Sequence, residues 1–204
     1  AKRKKLLFTE ATFFNYHNQF GFVKKFIGKL NNIEQVFVNF TIPMPKKNSL
    51  LLSPKFHGGT FMDMSPYTAS INRILFEEKL KKKSIIVKKN IQKLIISYDV
   101  FLKYKTKVFI GTFRFGKKYN NKILIFLRNR SIEINRAFSP PSDKKLEIQI
   151  TKKNQAQKVF VKKDNCFENY LSEVIKNIKN KQYTFYFDQM IKDENFRFKL
   201  LKVN

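Results

Sequence analysis

The residues of this chain best spaced for chemistry are cations set just after prolines, and the chemistry they suit is contact with phosphate. Pro43 and Pro45 lie in Ile42-Pro43-Met44-Pro45-Lys46-Lys47, and Ser53-Pro54-Lys55 follows a short apolar run. Proline fixes φ and removes a backbone donor, so a strand arriving through Val36-Phe37-Val38-Asn39-Phe40 must leave ordinary ladder pairing there. It is expected to become an edge or an extended arm. Lys46, Lys47 and Lys55 then decorate that arm, His57-Gly58-Gly59 forms a flexible tip, and Arg73 stands farther on, within reach of either a phosphate or Glu77. The basic start of the chain, Lys2, Arg3, Lys4 and Lys5, adds four more cations.

Catalytic constellations are hard to find. Glu77-Glu78 and Asp193-Glu194 are adjacent pairs, and neighbours on a strand point apart, whereas acid–base chemistry needs two groups converging on one substrate. Salt-bridge duty for the lysines is the expectation for them. Cys166 has no histidine placed to activate it. One cysteine with only His17 and His57 excludes a zinc set and a disulfide framework. Gly58-Gly59 alone is a turn, not a phosphate loop. The expectation is a protein that is not an enzyme and carries no metal or cofactor.

Composition narrows the partner. Lys and Arg number 42 against 15 Asp and Glu, a formal charge of +27 over 204 residues, which repels itself unless it faces an anion. With 43% apolar residues and 23 Phe, the chain has the side chains to fold rather than remain a basic tail. No apolar run approaches the roughly 20 residues that span a bilayer. The abundance of Lys, Asn, Ile and Phe is what AT-rich coding DNA produces, as in some organelle genomes.

Several elements must position these residues. Leu6 to Phe13 reads as a strand; Phe22, Val23, Phe26, Ile27 and Leu30 share a helix face between Asn18 and Asn31-Asn32. Glu34 to Ile42 alternates as a second strand, Tyr67 to Phe76 as a third, and Lys105 to Phe115 as a fourth. Ser84 can cap a helix carrying Val87, Ile91, Leu94, Ile95 and Tyr98, although Ile85 to Ile96 fits a strand equally. That order is βαββαβ, a ferredoxin-like split sheet of the α+β class with a long extended arm. Beyond it, Phe109 to Phe115 and Lys122 to Leu127 read as a hairpin, and Ser139-Pro140-Pro141-Ser142-Asp143 as a hinge. A second hairpin is expected around Asn154. A helix with the stripe Phe167, Tyr170, Leu171, Val174, Ile175 and Ile178 starts at an Asn165/Glu168 capping box. Tyr183 to Phe187 and Phe196 to Leu201 look like closing strands. The expected division is residues 1–112 and a C-terminal α+β extension, 113–204, folded alone or continuing the first sheet.

Ile42-Pro43-Met44-Pro45, Leu51-Leu52-Ser53-Pro54-Lys55 and Ser70-Ile71-Asn72-Arg73-Ile74 follow one another as corresponding segments do in the bacterial-type ribosomal protein S-ten family, which residues 5 to 112 resemble. Lys55 and Ile71 stand where that family usually has histidine. The resemblance implies a structural constituent of the head of the small ribosomal subunit. Its partners would be small-subunit rRNA and head proteins of the S-three, S-nine and S-fourteen families, with no small-molecule substrate. Lys2, Arg3, Lys4, Lys5, Lys46, Lys47, Lys55, His57 and Arg73 would be the rRNA contacts, and the mitochondrial matrix the location. The alternative is a free-standing RNA-binding regulator of ferredoxin-like fold, for which Gly111-Thr112-Phe113-Arg114-Phe115 is only a faint echo of the usual aromatic signature.

Overall fold

The computed structural model describes residues 2–4 and 6–202, and Lys5 of the expected rRNA contacts lies outside them. Its centre is one eight-stranded mixed sheet in the order β2-β3-β4-β1-β5-β6-β7-β8. The strands are β1 (Ile33–Pro43), β2 (Lys82–Lys89), β3 (Ile95–Lys103), β4 (Val108–Gly116), β5 (Asn120–Leu127), β6 (Arg130–Asn135), β7 (Leu146–Lys152) and β8 (Gln155–Val161). The helices are α1 (Asn18–Ile27), α2 (Thr60–Leu75), α3 (Cys166–Lys179) and α4 (Thr184–Leu201). This arrangement replaces the expected ferredoxin-like βαββαβ sheet. Strands β5 to β8, from the expected C-terminal extension, continue the same sheet.

The sheet is assembled around β1. It pairs in parallel with β4, Val38 opposite Gly111, and antiparallel with β5, Val38 opposite Ile123. The expected hairpin between residues 109–115 and 122–127 is therefore not one: β4 and β5 flank β1, and the chain crosses the end of β1 between them. Alternation on the strands makes one face apolar. Val36, Val38, Phe40, Tyr98, Val100, Leu102, Phe109, Phe113, Ile123, Ile125, Ile132, Ile134 and Ile148 are buried on it, against Phe14, Phe20, Val23, Ile27, Met64, Ile71 and Leu75 from α1, α2 and the turn before α1. The other face, with Phe37 meeting Phe126 edge-on at 5.8 Å, is half-exposed.

Three segments read as strands are helical. Tyr67 to Phe76 belongs to α2, and Tyr183 to Phe187 and Phe196 to Leu201 belong to α4. The converse holds for residues 84 to 98, which form the antiparallel pair β2 and β3, with Ser84 opposite Phe101. Leu6 to Phe13 forms no strand; a short 3-10 turn at Phe13–Tyr16 leads into α1, whose N-cap is His17, its Nδ1 accepting from the Gln19 amide at 3.1 Å. Gly28, at φ +69°, ends α1. Expectation and structure agree on β1, on the β7–β8 hairpin turning through Lys153 and Asn154 at positive φ, and on α3. There Asn165 accepts from the Phe167 and Glu168 amides and donates to the Glu168 carboxylate at 2.7 Å.

The segment after Pro43 is not an arm. It is a compact loop with 3-10 turns at Leu50–Leu52 and Pro54–Phe56, tied back by the Met44 amide to the Gly116 carbonyl at 2.9 Å. Leu51 and Leu52 pack on the core. Gly58 and Gly59 are close-packed rather than flexible: a Cβ on Gly58 would lie 2.6 Å from the Leu51 carbonyl oxygen, and one on Gly59, at φ +108°, 2.8 Å from that of Ile95. Only glycine fits so near an opposing backbone at such a φ.

Candidate active site on helix α2

Helix α2 begins where the loop after β1 returns through Gly59, and it lies across β3 and β4. Ten of its sixteen residues are buried. Phe61 contacts Tyr98 at 5.2 Å, and the Thr68 hydroxyl hydrogen-bonds that of Tyr98 at 2.9 Å. Pro66 lies inside the helix and cannot donate to the Met62 carbonyl four residues back. That carbonyl instead accepts from Arg197 Nη2 at 3.5 Å, while Arg197 Nε donates to the Ser65 hydroxyl at 2.7 Å. A residue of α4 thus repairs the gap in α2.

On the half-buried side of α2, Asp63 and Tyr67 sit four residues apart, one above the other on a helix. The Tyr67 ring is wedged among Phe14, Phe40 and Phe138, with centroids at 5.7, 5.3 and 5.0 Å. That fixes the ring, yet among the described residues its hydroxyl makes no hydrogen bond. Burial, reinforced by the negative charges of Asp63 and Glu10, pushes the phenol up to about 12, so it stays protonated as a donor at neutral pH. Asp63 has no ion-pair or side-chain hydrogen-bond partner among the described residues, and burial raises its carboxyl above the usual range. An unpartnered, half-buried carboxyl beside a fixed phenol is more readily explained by a ligand than by stability.

The surrounding groups come from four other segments. Glu10, raised by burial against the opposing pull of Arg197, lies 3.8 Å from Arg197 Nη1, which also binds Glu194 at 2.6 Å. From the crossing between β4 and β5, the Tyr119 hydroxyl bonds Ser139 Oγ at 2.6 Å, and Asn121 Nδ2 donates to both oxygens at 2.8 Å. Arg136 stacks over Tyr119 at 4.8 Å. The expected hinge at Ser139-Pro140 is thus anchored at its first residue.

The residues singled out from sequence do not converge on this place. Lys2–Lys4 form a short 3-10 turn on which Arg3 and Lys4 are exposed. Lys46, Lys47, Lys55 and His57 are exposed on the loop before α2, with Lys55 over the Phe56 ring at 5.7 Å. Arg73 is committed to protein: its Nε donates to both carboxylate oxygens of Asp193 at 3.0 and 3.1 Å. Glu78 binds Thr106 and Lys107. Cys166 is buried. The described residues contain no group of three metal-binding side chains and no helix long and apolar enough to cross a membrane. Asp63 and Tyr67 carried no signal until their segment was known to be helical.

No family model matches the sequence, and none of the curated proteins does. Solved structures do match. A 3-ketoreductase from Actinomadura kijaniata, in complex with NADP and TDP-benzene, superposes with a TM-score of 0.86 at 16% identity, covering 95% of this chain and 61% of its own. An aldose-aldose oxidoreductase from Caulobacter crescentus gives 0.80 at 13% identity, covering 98% and 63%. The UDP-N-acetylglucosamine 3-dehydrogenase of Acidithiobacillus ferrooxidans gives 0.68 at 9%, covering 88% and 55%. At these identities the likeness concerns the fold, and the chain spans about three-fifths of the length of these neighbours. It nevertheless overturns the ribosomal reading: an eight-stranded mixed sheet shared with these structures is not an S-ten domain. The expectations of a non-enzymatic constituent, of a free RNA-binding regulator, of rRNA and head proteins as partners and of no small-molecule substrate go with it. The physical reason is that short Pro-x-Pro and Ser-Pro pairs mark a strand end and a loop in either fold.

The neighbours raise the question of a nicotinamide nucleotide. The glycine-preceded start of α2 is closed to a pyrophosphate, since Gly59 is buried against the Ile95 backbone. That helix start does not fit a dinucleotide.

Proposed function

We propose that this chain forms the substrate-facing sheet domain of an oxidoreductase acting on sugars, working beside a nicotinamide nucleotide held outside residues 2–202. The reading is supported by the fold shared with a 3-ketoreductase, an aldose-aldose oxidoreductase and a UDP-N-acetylglucosamine 3-dehydrogenase. The observation that carries it is the pair Asp63 and Tyr67, whose carboxyl and hydroxyl make no side-chain hydrogen bond among the described residues on a helix with ten of sixteen residues buried. Reducing a sugar carbonyl requires a proton at its oxygen, and oxidising a carbinol requires one to leave. Tyr67, held protonated and clamped by three aromatic rings, is the donor to that oxygen. Asp63, with its carboxyl raised, hydrogen-bonds a neighbouring sugar hydroxyl or exchanges the proton with Tyr67.

The test is saturation-transfer NMR with a panel of free and nucleotide-linked sugars. Ring-proton signals are expected with the native chain, weakened by Tyr67→Phe and abolished by Asp63→Asn at unchanged melting temperature. A chain that binds no member of the panel, or binds equally well after both substitutions, would sink the reading.

A further inference from the structure

At the far end of α2 from Tyr67 lies a second concavity, with a volume of about 630 Å3. One wall is the connector into β2 with the first residues of that strand; the other is the C-terminal half of α4. The α4 wall is one helix face, because Lys192, Asn195, Phe196 and Lys199 fall at i, i+3, i+4 and i+7. The opposite face of α4, through Asp193, Arg197 and Leu200, packs toward α2 and the core. Lysine dominates the lining to a degree the overall composition does not explain. Seven of thirteen lining residues are lysine, against 42 Lys and Arg in 204 for the whole chain.

These cations are not spent on protein. Lys79, Lys81, Lys82, Lys192, Lys199 and Lys202 form no ion pair among the described residues. The seventh, Lys83, donates to the carbonyl oxygens of Lys199 and Lys202, fixing the last turn of α4 against β2. The one carboxylate in the lining, Glu78, is taken by Thr106 and by Lys107, 3.8 Å away. Asn72 accepts from the Tyr104 hydroxyl with its side-chain oxygen, which leaves its amide hydrogens to the cavity. The floor is aromatic, with Tyr104 buried and Phe196 partly so. Donors without acceptors around an open hollow make an anion site, and so many clustered ammonium groups call for more than one negative charge.

We propose that this hollow binds a small anion carrying clustered phosphates. It is separate from the Asp63/Tyr67 site and does not rest on the oxidoreductase reading. The phosphates come either from a soluble polyphosphate or from a phosphorylated lipid headgroup; the chemistry of the site is the same.

The experiment is calorimetric titration of the full chain with inorganic tripolyphosphate at about 150 mM salt, where loose surface attraction is largely screened. Saturable binding of one equivalent is expected. Lys192→Gln/Lys199→Gln should weaken it roughly tenfold, and so should Lys81→Gln/Lys82→Gln on the other wall. Lys24→Gln/Lys25→Gln on exposed α1, which removes the same charge, should change it by less than about twofold. Using two walls guards against misfolding of either variant, and the retained backbone carbonyls keep the Lys83 contacts. Binding that does not saturate, or that falls equally with the α1 pair, overturns the proposal. Competition by phosphatidylcholine vesicles containing a phosphoinositide, lost in both site variants, identifies the headgroup as the source. Competition that persists in those variants overturns the site.

Discussion

Arg73 and Asp193 join α2 to α4, and the cost of separating them can be worked out in advance. Asp193 is 8% exposed and Arg73 24%, with both Asp193 carboxylate oxygens on Arg73 Nε at 3.0 and 3.1 Å. Removing one partner of a buried pair strands the other charge at about 3–5 kcal/mol; because water reaches Arg73, about 2–3 kcal/mol is expected for Asp193→Leu or Arg73→Met. Replacing both, as Arg73→Met/Asp193→Leu, leaves no stranded charge and should fall within about 1 kcal/mol of the native protein. The coupling energy is then about 4 kcal/mol, beyond the roughly 0.5–3 kcal/mol usual for residues in contact. Urea unfolding followed by circular dichroism measures it. The acid limb supplies a second check. Burial raises the Asp193 carboxyl despite Arg73, so the folded state holds this proton more tightly than the unfolded chain does. Its contribution is therefore greatest below the unfolded value of about 4 and is lost as pH rises through the folded one. Arg73→Met should steepen that loss and the double variant should abolish it. Additive single costs, or a pH profile unchanged by Arg73→Met, would refute the reasoning.

Three further outcomes are expected. Gly59→Ala places a Cβ 2.8 Å from the Ile95 carbonyl at φ +108° and should cost about 3 kcal/mol by urea titration, where an ordinary loop glycine would gain a few tenths. His17 is buried and held below its usual value by desolvation, against the opposing pull of Asp164. The unfolded chain thus takes up a proton below about 6.5 that the folded one resists, and melting temperature should fall on acidification from that point, less steeply in His17→Asn. Asn165→Ala removes the cap of α3, which accepts from Phe167 and Glu168, and should cost about 1 kcal/mol in thermal melts.

Legibility followed contrast between faces. β1 was readable because Val36, Val38 and Phe40 alternate with less buried residues, and α3 because Asn165 and Glu168 box its start. Helix α2 had no such contrast. With ten of sixteen residues buried, polar Thr60, Ser65, Thr68 and Ser70 among them, its periodicity vanished, and the donor that Pro66 lacks is supplied from α4, by Arg197 at the freed carbonyl. The β2–β3 hairpin failed for a different reason: β2 is the edge strand with Ile86 69% exposed, and the turn after it leaves Ile91 fully exposed, so the apolar residues there mark no buried face. The candidate site inherited the error, since Asp63 and Tyr67 gain meaning only on a common helix. The lysines that were legible, Lys46, Lys47 and Lys55, lie on a packed loop, while those lining the hollow beside α4 are brought together from segments about 110 residues apart.

The central position of β1 also sets a timetable. Its partners β4 and β5 lie roughly 70–95 residues downstream, so during synthesis at about 5–20 residues per second the strand waits several seconds with both edges bare. Val36-Phe37-Val38-Asn39-Phe40 is β-prone, uncharged and free of proline, the kind of segment that seeds pairing between chains. Pro43 and Pro45 at its end, followed by Lys46 and Lys47, interrupt that pairing and add repulsion. The cations that look like contacts for an external partner thus have a use while the chain is still emerging, as guards of a strand that cannot yet find its neighbours.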